Sequence, residues 1–468
     1  MTDLARARVI FDRQGDARWR LAASLARDRV ARLRRLKRAV VSARQDLRAA
    51  LRADLGRAAA EADLTEIDTV VDEINFVARF LTGWMRPEPV AGHPLLRGRA
   101  EIRHHARGRV LVLAPWNYPV YLSLMPLVSA MAAGNTVILK PSERAPRTAA
   151  ALACLVGEAA LPEEAAVVTG GVDVAAALLD LPFDHIFFTG SQAVGRIVAG
   201  AAARHAASVT LELGGKSPVI VDATADLARA ARRIMWAKLV NAGQTCVSPD
   251  YVLVGRDRAP ALAAALVAAA EGLYGPAGGW PGHADFARIV DDRAFDRLQA
   301  MLDDAVSRGA RVECGGDTDR GARYVAPTVL TNVDPGARLM REEIFGPILP
   351  VVPFDREDEA VATARGHGTP LALYVFGSDE RADWWLGAVP SGGAAVNHAL
   401  VHLANSRLPF GGQGASGTGR YHGRHGFLEL SHERGVVRYG RWAVPDALTP
   451  PYDRWWSRVA RGVIRVFG

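Results

Sequence analysis

The sequence predicts an α/β protein of two lobes, each a parallel sheet covered by helices on both faces, and three observations carry that expectation. From residue 109 onward, short apolar runs rich in β-branched residues alternate with alanine-rich stretches of helical spacing. The alternation resumes in the same style after Cys246. At 468 residues, the chain also exceeds what one hydrophobic core usually serves.

Each element follows from local pattern. Between about Trp19 and Leu55 the positions Leu21, Leu25, Leu33, Leu36, Val40, Leu47 and Leu51 recur at helical spacing among arginines, which reads as an amphipathic helix. A second helical stretch covers about 61–85. After Pro87, proline, glycine and many charges take the chain away from the packed helices, as an extended arm. RVLVLAP at 109–115 is a buried strand, followed by a helix and then by TVILKP at 136–141. Further strands are expected at 165–170, 184–190 and 217–222. In the second lobe they fall at 251–255 and near 348–354 and 371–376, with helices after 255 and around 291–308. LTPP at 448–451 reads as a rigid hinge before a distinct tail.

Composition narrows the functional classes. A 49% apolar content with an average charged fraction describes a soluble globular protein. Three cysteines form no disulfide framework, and the first residues lack the apolar run of a secretion signal, so a reducing cytoplasm is expected. No stretch approaches the roughly 20 apolar residues that a membrane-spanning helix needs. The net charge of +7 comes mostly from arginines on helix faces, without a nucleic-acid motif or an aromatic-interleaved basic platform, so no nucleic-acid partner is expected. The charge suits anionic cofactors.

The chemistry concentrates in a few motifs. NAGQTC at 241–246 follows LELGGKSP at 211–218, giving a cysteine in a polar, glycine-softened loop and a glutamate close upstream. A nucleophile and a base are the minimum for acyl chemistry, and an exposed polar turn would let Cys246 be partly thiolate. FFTGSQAVG at 187–195 places Gly190 and Gly195 around a strand-to-helix turn, where bare amides and a helix N-terminus meet a phosphate. That spacing departs from GxGxxG, and an isolated glycine pair after a strand is more often plain turn chemistry. LKPSE at 139–143 strengthens it, since Lys140 and Glu143 at a strand end suit ribose hydroxyls. PWNYP at 115–119 fixes Asn117 between prolines, as an amide donor for an oxyanion or as a turn asparagine. EEIFGP at 342–347 fits a surface turn or a clamp on ribose and nicotinamide. Cys154, in an apolar helix, and Cys314, before a Gly-Gly turn, read as structural thiols. His422 and His425 have helical i, i+3 spacing but no carboxylate or thiolate companion, so no metal is expected.

By PWNYP, LKPSE, FTGS, TLELGGKSP, NAGQTCVSPDY, EEIFGPILP, LPFGGQGASGTGRYHG and FLELSH, in that order, the chain resembles the aldehyde dehydrogenases. The likeness runs from about Phe11 to Tyr439 and is nearest the branch of dimeric class 3 and fatty aldehyde enzymes. It implies an α/β fold with a Rossmann-like cofactor domain (1–87 and 107–212), an α/β catalytic domain (213–417) and a small β oligomerisation arm (88–106 and 432–440). A return segment (418–431) and a basic amphipathic tail (449–468) complete the division.

By the same resemblance Cys246 is the nucleophile, Glu212 the general base for deacylation, and Asn117 an oxyanion donor alongside the Cys246 amide. Lys140 and Glu143 would hold the adenosine ribose, Trp116 and Ser191 would lie at the pyrophosphate, and Glu343 with Phe345 would fix the nicotinamide ribose and ring. The implied reaction is NAD(P)-dependent oxidation of a medium- or long-chain aliphatic or aromatic aldehyde to the acid, with NAD favoured over NADP, in a homodimer. Its rivals are a coenzyme A-acylating relative, which would generally lack Glu212, and a non-catalytic protein on the same fold. The pocket is expected around Tyr118, Tyr121, Asn241 and His398. In the tail, Trp455, Val459, Val463 and Phe467 form one helical stripe and Arg454, Arg458, Arg461 and Arg465 another, which suits docking on the enzyme itself or peripheral contact with the inner face of a membrane.

Overall fold

The arginine-rich N-terminal periodicity resolves into three helices rather than one. In a computed structural model, which describes residues 3–92, 98–441, 450–459 and 462, they are Asp3–Ala22, Ala26–Ser42 and Arg44–Leu55. Leu33, Leu36, Val40, Leu47 and Leu51 all point into the core, as their spacing requires. Gly56 ends the third helix in the left-handed region, where a side chain would run into Arg288. The stretch expected at 61–85 is helical but carries a π turn, Asp63–Ile67, ahead of Asp68–Trp84.

The first sheet has six strands, in the order Gly417–Thr418, Ser208–Leu213, His185–Gly190, Arg109–Leu113, Thr136–Lys140, Ala165–Val167. All pairs are parallel except the outermost, where Gly417 faces Glu212 across an antiparallel bridge. Both faces are covered, which is why its inner strands read as continuous apolar runs. Leu111 and Ile186 pack against Ile10 and Phe11 of the first helix. Val110, Val112 and Phe187 face the other way, into the core that holds Leu124 and Val128. Those two belong to Tyr121–Ala133, a helix buried along its whole length.

The chain crosses through Gly214 and Gly215 into a seven-stranded sheet. Its order is Arg311–Cys314, Thr328–Thr331, Ile348–Phe354, Tyr251–Gly255, Pro218–Val221, Ala372–Phe376, Gly393–Val396. Only the Arg311–Cys314 pairing is antiparallel. The arm is a three-stranded antiparallel sheet of Glu88–Val90, Arg99–Ala106 and Ser431–Arg438, the last at an edge.

Two expectations change. Cys154 does sit in a helix, Pro146–Ala159, but on its exposed face. In the tail, residues 455–459 are helical with Trp455 and Val459 exposed and Ser457 buried, so the described part of the apolar stripe faces outward. Arg461, Val463, Arg465 and Phe467 lie outside the described residues.

Candidate active site

The site is assembled where the ends of the first sheet meet the loop that precedes the second. Alternation along Ser208–Leu213 puts Ser208, Thr210 and Glu212 on one face. Glu212 is 3% exposed, and neither of its carboxylate oxygens has a hydrogen-bond partner among the described residues. Burial, then the nearby Glu429, pushes its carboxyl well above the ordinary range.

A tight turn delivers the cysteine. Asn241, Ala242 and Gly243 all have left-handed backbones, with φ of 52°, 51° and 74°. Gly243 is obligatory there, because a Cβ would strike the Gly346 carbonyl. Buried Gln244 pins the loop: its amide donates to the carbonyls of Asn241 and Arg288, both at 3.0 Å, and its oxygen accepts from Val290 N at 3.0 Å. Thr245 Oγ1 meets the Tyr118 hydroxyl at 2.8 Å, and the Tyr374 hydroxyl donates to the Val247 carbonyl at 2.7 Å. Cys246 is therefore held from both sides.

It is also less open than its sequence suggests. Cys246 is half-buried, and burial, followed by the carboxyls of Glu343 and Glu212, pushes its thiol up, while the backbone amides of Cys246 and Val247 pull the other way. The protein alone thus holds the sulfur as a thiol near neutral pH, against the expectation of a partly ionised, exposed one. Asn117, 3% exposed, donates from Nδ2 to the Gln244 carbonyl at 3.0 Å, beside the same loop.

Two cavities meet at Cys246. One, of about 740 Å³, is lined by Trp116, Asn117, Glu143, Gly190, Ser191, Glu212, Gly214, Glu343 and Phe345, among others. Its features suit a dinucleotide. Ser191 caps the helix Gln192–Arg204, whose N-terminus opens on the groove and offers free amides to a diphosphate. Gly190 and Gly214 are bare where a Cβ would meet Phe188 and the Glu343 carboxyl. Trp116 and Phe345 meet edge to face with centroids 5.5 Å apart. Glu343 is pushed up to about 8 by burial and the charge of Asp250, which outweigh the Gly215 amide, Arg297 and Lys216. Lys140 does not line the groove. Its Nζ pairs with Glu143 Oε2 at 2.9 Å and so sets the position of that carboxylate. Gly195 is off the wall too, in the helix, where a side chain would collide with Leu213; its bareness serves packing.

The second cavity, of about 190 Å³, is almost wholly apolar, lined by Tyr118, Tyr121, Leu122, Trp236, Val240, Leu400, Val401 and Phe410. Of the four residues expected around the pocket, the two tyrosines line it. Asn241 instead donates from Nδ2 to the Asn117 carbonyl at 2.8 Å behind the loop, and His398 packs edge-on against Trp236, 5.6 Å between centroids. His422 is buried, held neutral with its pKa depressed to about 3 by burial, and meets the Tyr121 hydroxyl at 2.7 Å. Sequence reasoning passed over Arg57, which reaches the Asn117 carbonyl, Glu66, which holds the amides of Val120 and Tyr121, and Trp236, Leu400 and Val401, which line the apolar cavity. Nothing in their local patterns distinguishes them from ordinary helix and loop residues.

The profile of the aldehyde dehydrogenase family matches residues 6–436. Aldehyde dehydrogenase family 3 member A2 of Pongo abelii is 41% identical over 410 residues, 87% of this chain and 83% of that protein. The structure described as the substrate-bound state of Staphylococcus aureus AldH superimposes with a TM-score of 0.92 at 38% identity, covering 98% of this chain and 99% of that one. A mutant of aldehyde dehydrogenase C from Pseudomonas syringae, in complex with NAD+ and octanal, superimposes with a TM-score of 0.84 at 31% identity, covering 94% and 90%.

Proposed function

Because this chain belongs to the aldehyde dehydrogenase family, an NAD(P)-dependent group of oxidoreductases acting on aldehydes, we propose that its substrates are medium- or long-chain aliphatic or aromatic aldehydes. The observation that carries this is the position of Cys246, between a groove of dinucleotide size with charged and polar groups in its wall and a smaller, apolar cavity. The neighbour bound to NAD+ and octanal agrees in kind with both.

In the reaction we propose, the Cys246 thiol gives its proton to water, the resulting thiolate adds to the aldehyde carbon, and the carbonyl oxygen takes the negative charge. The second hydrogen of Asn117 Nδ2 and the Cys246 amide receive it; each such donor is typically worth about 100- to 1,000-fold. Bound nicotinamide supplies the hydride acceptor. Glu343 and Phe345 would orient its ribose and ring, Glu143, steadied by Lys140, would hold the adenosine ribose, and Trp116 and Ser191 would lie along the diphosphate. The acyl group left on sulfur is a thioester. Glu212, unpartnered and shielded from bulk water, takes a proton from a water that attacks this thioester, releasing the acid and the thiol. Assay of reduced cofactor against aldehydes of graded length and aromaticity tests this reading, with Cys246→Ser as control. Turnover by the variant equal to that of the parent would overturn it.

We assign the six-stranded sheet to cofactor binding, the seven-stranded sheet to catalysis and the arm to assembly of a homodimer, since Ser431–Arg438 leaves an unpaired strand edge. No helix among the described residues is long and apolar enough to cross a membrane. The exposed Trp455 and Val459 support peripheral contact by a cytoplasmic enzyme with the inner face of the membrane. Liposome co-sedimentation, comparing the full chain with one truncated at Thr449, tests the last point.

A further inference from the structure

We infer that the buried ion pair of Arg57 and Glu66 is a positioning device for the oxyanion donor, an inference that rests on the role proposed for Asn117. Both side chains are fully buried, and they pair directly, Arg57 Nη1 with Glu66 Oε1. Each also grips the turn that carries Asn117. Arg57 Nη2 donates to the Asn117 carbonyl at 2.6 Å, while Glu66 Oε2 accepts from Val120 N at 2.7 Å and Tyr121 N at 3.0 Å. The guanidinium lies over the Tyr118 ring, 4.6 Å from its centroid. Four of the five residues 117–121 are thus held at carbonyl, ring and two amides by one pair of opposite charges.

The local backbone is shaped for this. Glu66 sits in the π turn Asp63–Ile67, whose wider winding departs from the regular helix on either side; such turns recur at functional sites. Arg57 comes from the short segment after Gly56, and its Nε also lies 3.4 Å from Glu61 Oε1. Glu61 Oε1 in turn accepts from Asn241 N at 2.9 Å, and Asn241 Nδ2 shares the Asn117 carbonyl with Arg57. The network therefore ties the donor's turn to the turn that delivers Cys246. Stability alone does not account for it, since apolar side chains of similar volume usually replace a buried ion pair at no loss. Fixing Asn117 Nδ2 relative to Cys246 does account for it. One Nδ2 hydrogen is committed to Gln244, and the other must meet an oxygen whose position is set by the sulfur.

The test is a double-mutant cycle read in kcat, with cofactor affinity as a separate measurement. Arg57→Met is expected to lower kcat by about 10- to 100-fold, the scale of a misplacement of about 1 Å, and to leave the cofactor Kd within about twofold. In an Asn117→Ala background the same substitution should cost nothing further, because the group it positions is gone. Arg57→Lys, which keeps a charge within reach of Glu66, should recover most of the loss. Should Arg57→Met fail to fold, Arg57→Lys and Glu66→Gln, each with a smaller deficit, run the same cycle. Multiplying deficits in the double mutant, or an unchanged kcat in the single mutants, would overturn the inference while leaving Asn117 its role. Full activity in Asn117→Ala alone would instead overturn the reading of Asn117 on which it rests.

Discussion

The side-chain amide of Asn117 donates to the backbone carbonyl of Gln244 over 3.0 Å, joining the turn after the strand Arg109–Leu113 to the loop two residues ahead of Cys246. Asn117 and Cys246 come from opposite sides of the crossover between the two sheets. That hydrogen bond, with the one from Asn241 Nδ2 to the Asn117 carbonyl, sets their separation.

Replacing Asn117 by alanine is expected to lower kcat by about 100- to 1,000-fold, the usual cost of an oxyanion donor. Cofactor affinity, measured by titration calorimetry, should stay within about threefold. A kcat that also stays within threefold would show that the Cys246 amide suffices.

The thiol should be slow to alkylate in the protein alone. Burial and two carboxyls hold the Cys246 proton on, so the rate of iodoacetamide modification should climb steeply with pH above neutrality. NAD+ should accelerate it at fixed pH, since a cationic nicotinamide beside the sulfur favours the thiolate. Peptide mass mapping must separate this signal from exposed Cys154, which reacts at its own rate and serves as an internal control. A Cys246 rate indifferent to NAD+ would remove the electrostatic coupling argued here.

Glu343 predicts a pH dependence of stability. Its folded-state pKa of about 8 lies above the ordinary 4.5, so between those values the native protein keeps a proton that the unfolded chain has lost. The unfolded state then binds fewer protons, and stability falls as pH rises through that window. Melting temperature should therefore decline from about pH 5 to pH 8, and Glu343→Gln should flatten the slope. An identical slope in the variant would show that other groups set it.

The apolar cavity predicts a graded response to chain length. Each buried methylene is worth about 0.8 kcal/mol, or roughly fourfold in kcat/KM, until the apolar space is filled. Val240→Trp, placed on the cavity wall, should remove the gain for long chains while sparing short aldehydes. Equal losses for short and long substrates would place the chain elsewhere.

Much of this was legible in the sequence because the chemistry sits in contiguous motifs on the ends of strands. The runs 109–115, 136–141 and 184–190 became neighbouring parallel strands, and their apolar continuity reported burial on both faces. Ser208–Leu213 escaped notice as a strand, since its polar residues alternate with apolar ones; of these polar residues only Glu212 lines the groove. Helical periodicity over 19–55 was correct in kind but could not show the breaks near 23–25 and at 43, where the apolar spacing runs on across each turn. The exposure of Cys246 was misjudged because a glycine-rich polar loop usually lies outside, whereas this one is clamped inward by Gln244, Tyr118 and Tyr374. The apolar cavity and the Arg57–Glu66 pair were illegible for a common reason. Their members are scattered from residue 57 to residue 421 and meet only in space.

The meeting of both chambers at one sulfur separates the traffic of the two reactants. On the assignments proposed above, dinucleotide would enter and leave through the larger cavity, apart from the apolar one that an aldehyde's tail would fill. Departure of the reduced form ahead of hydrolysis would then clear space beside Glu212 for the attacking water. A compound lodged in the apolar chamber contends with aldehyde alone, and bridging both chambers means passing the thiol.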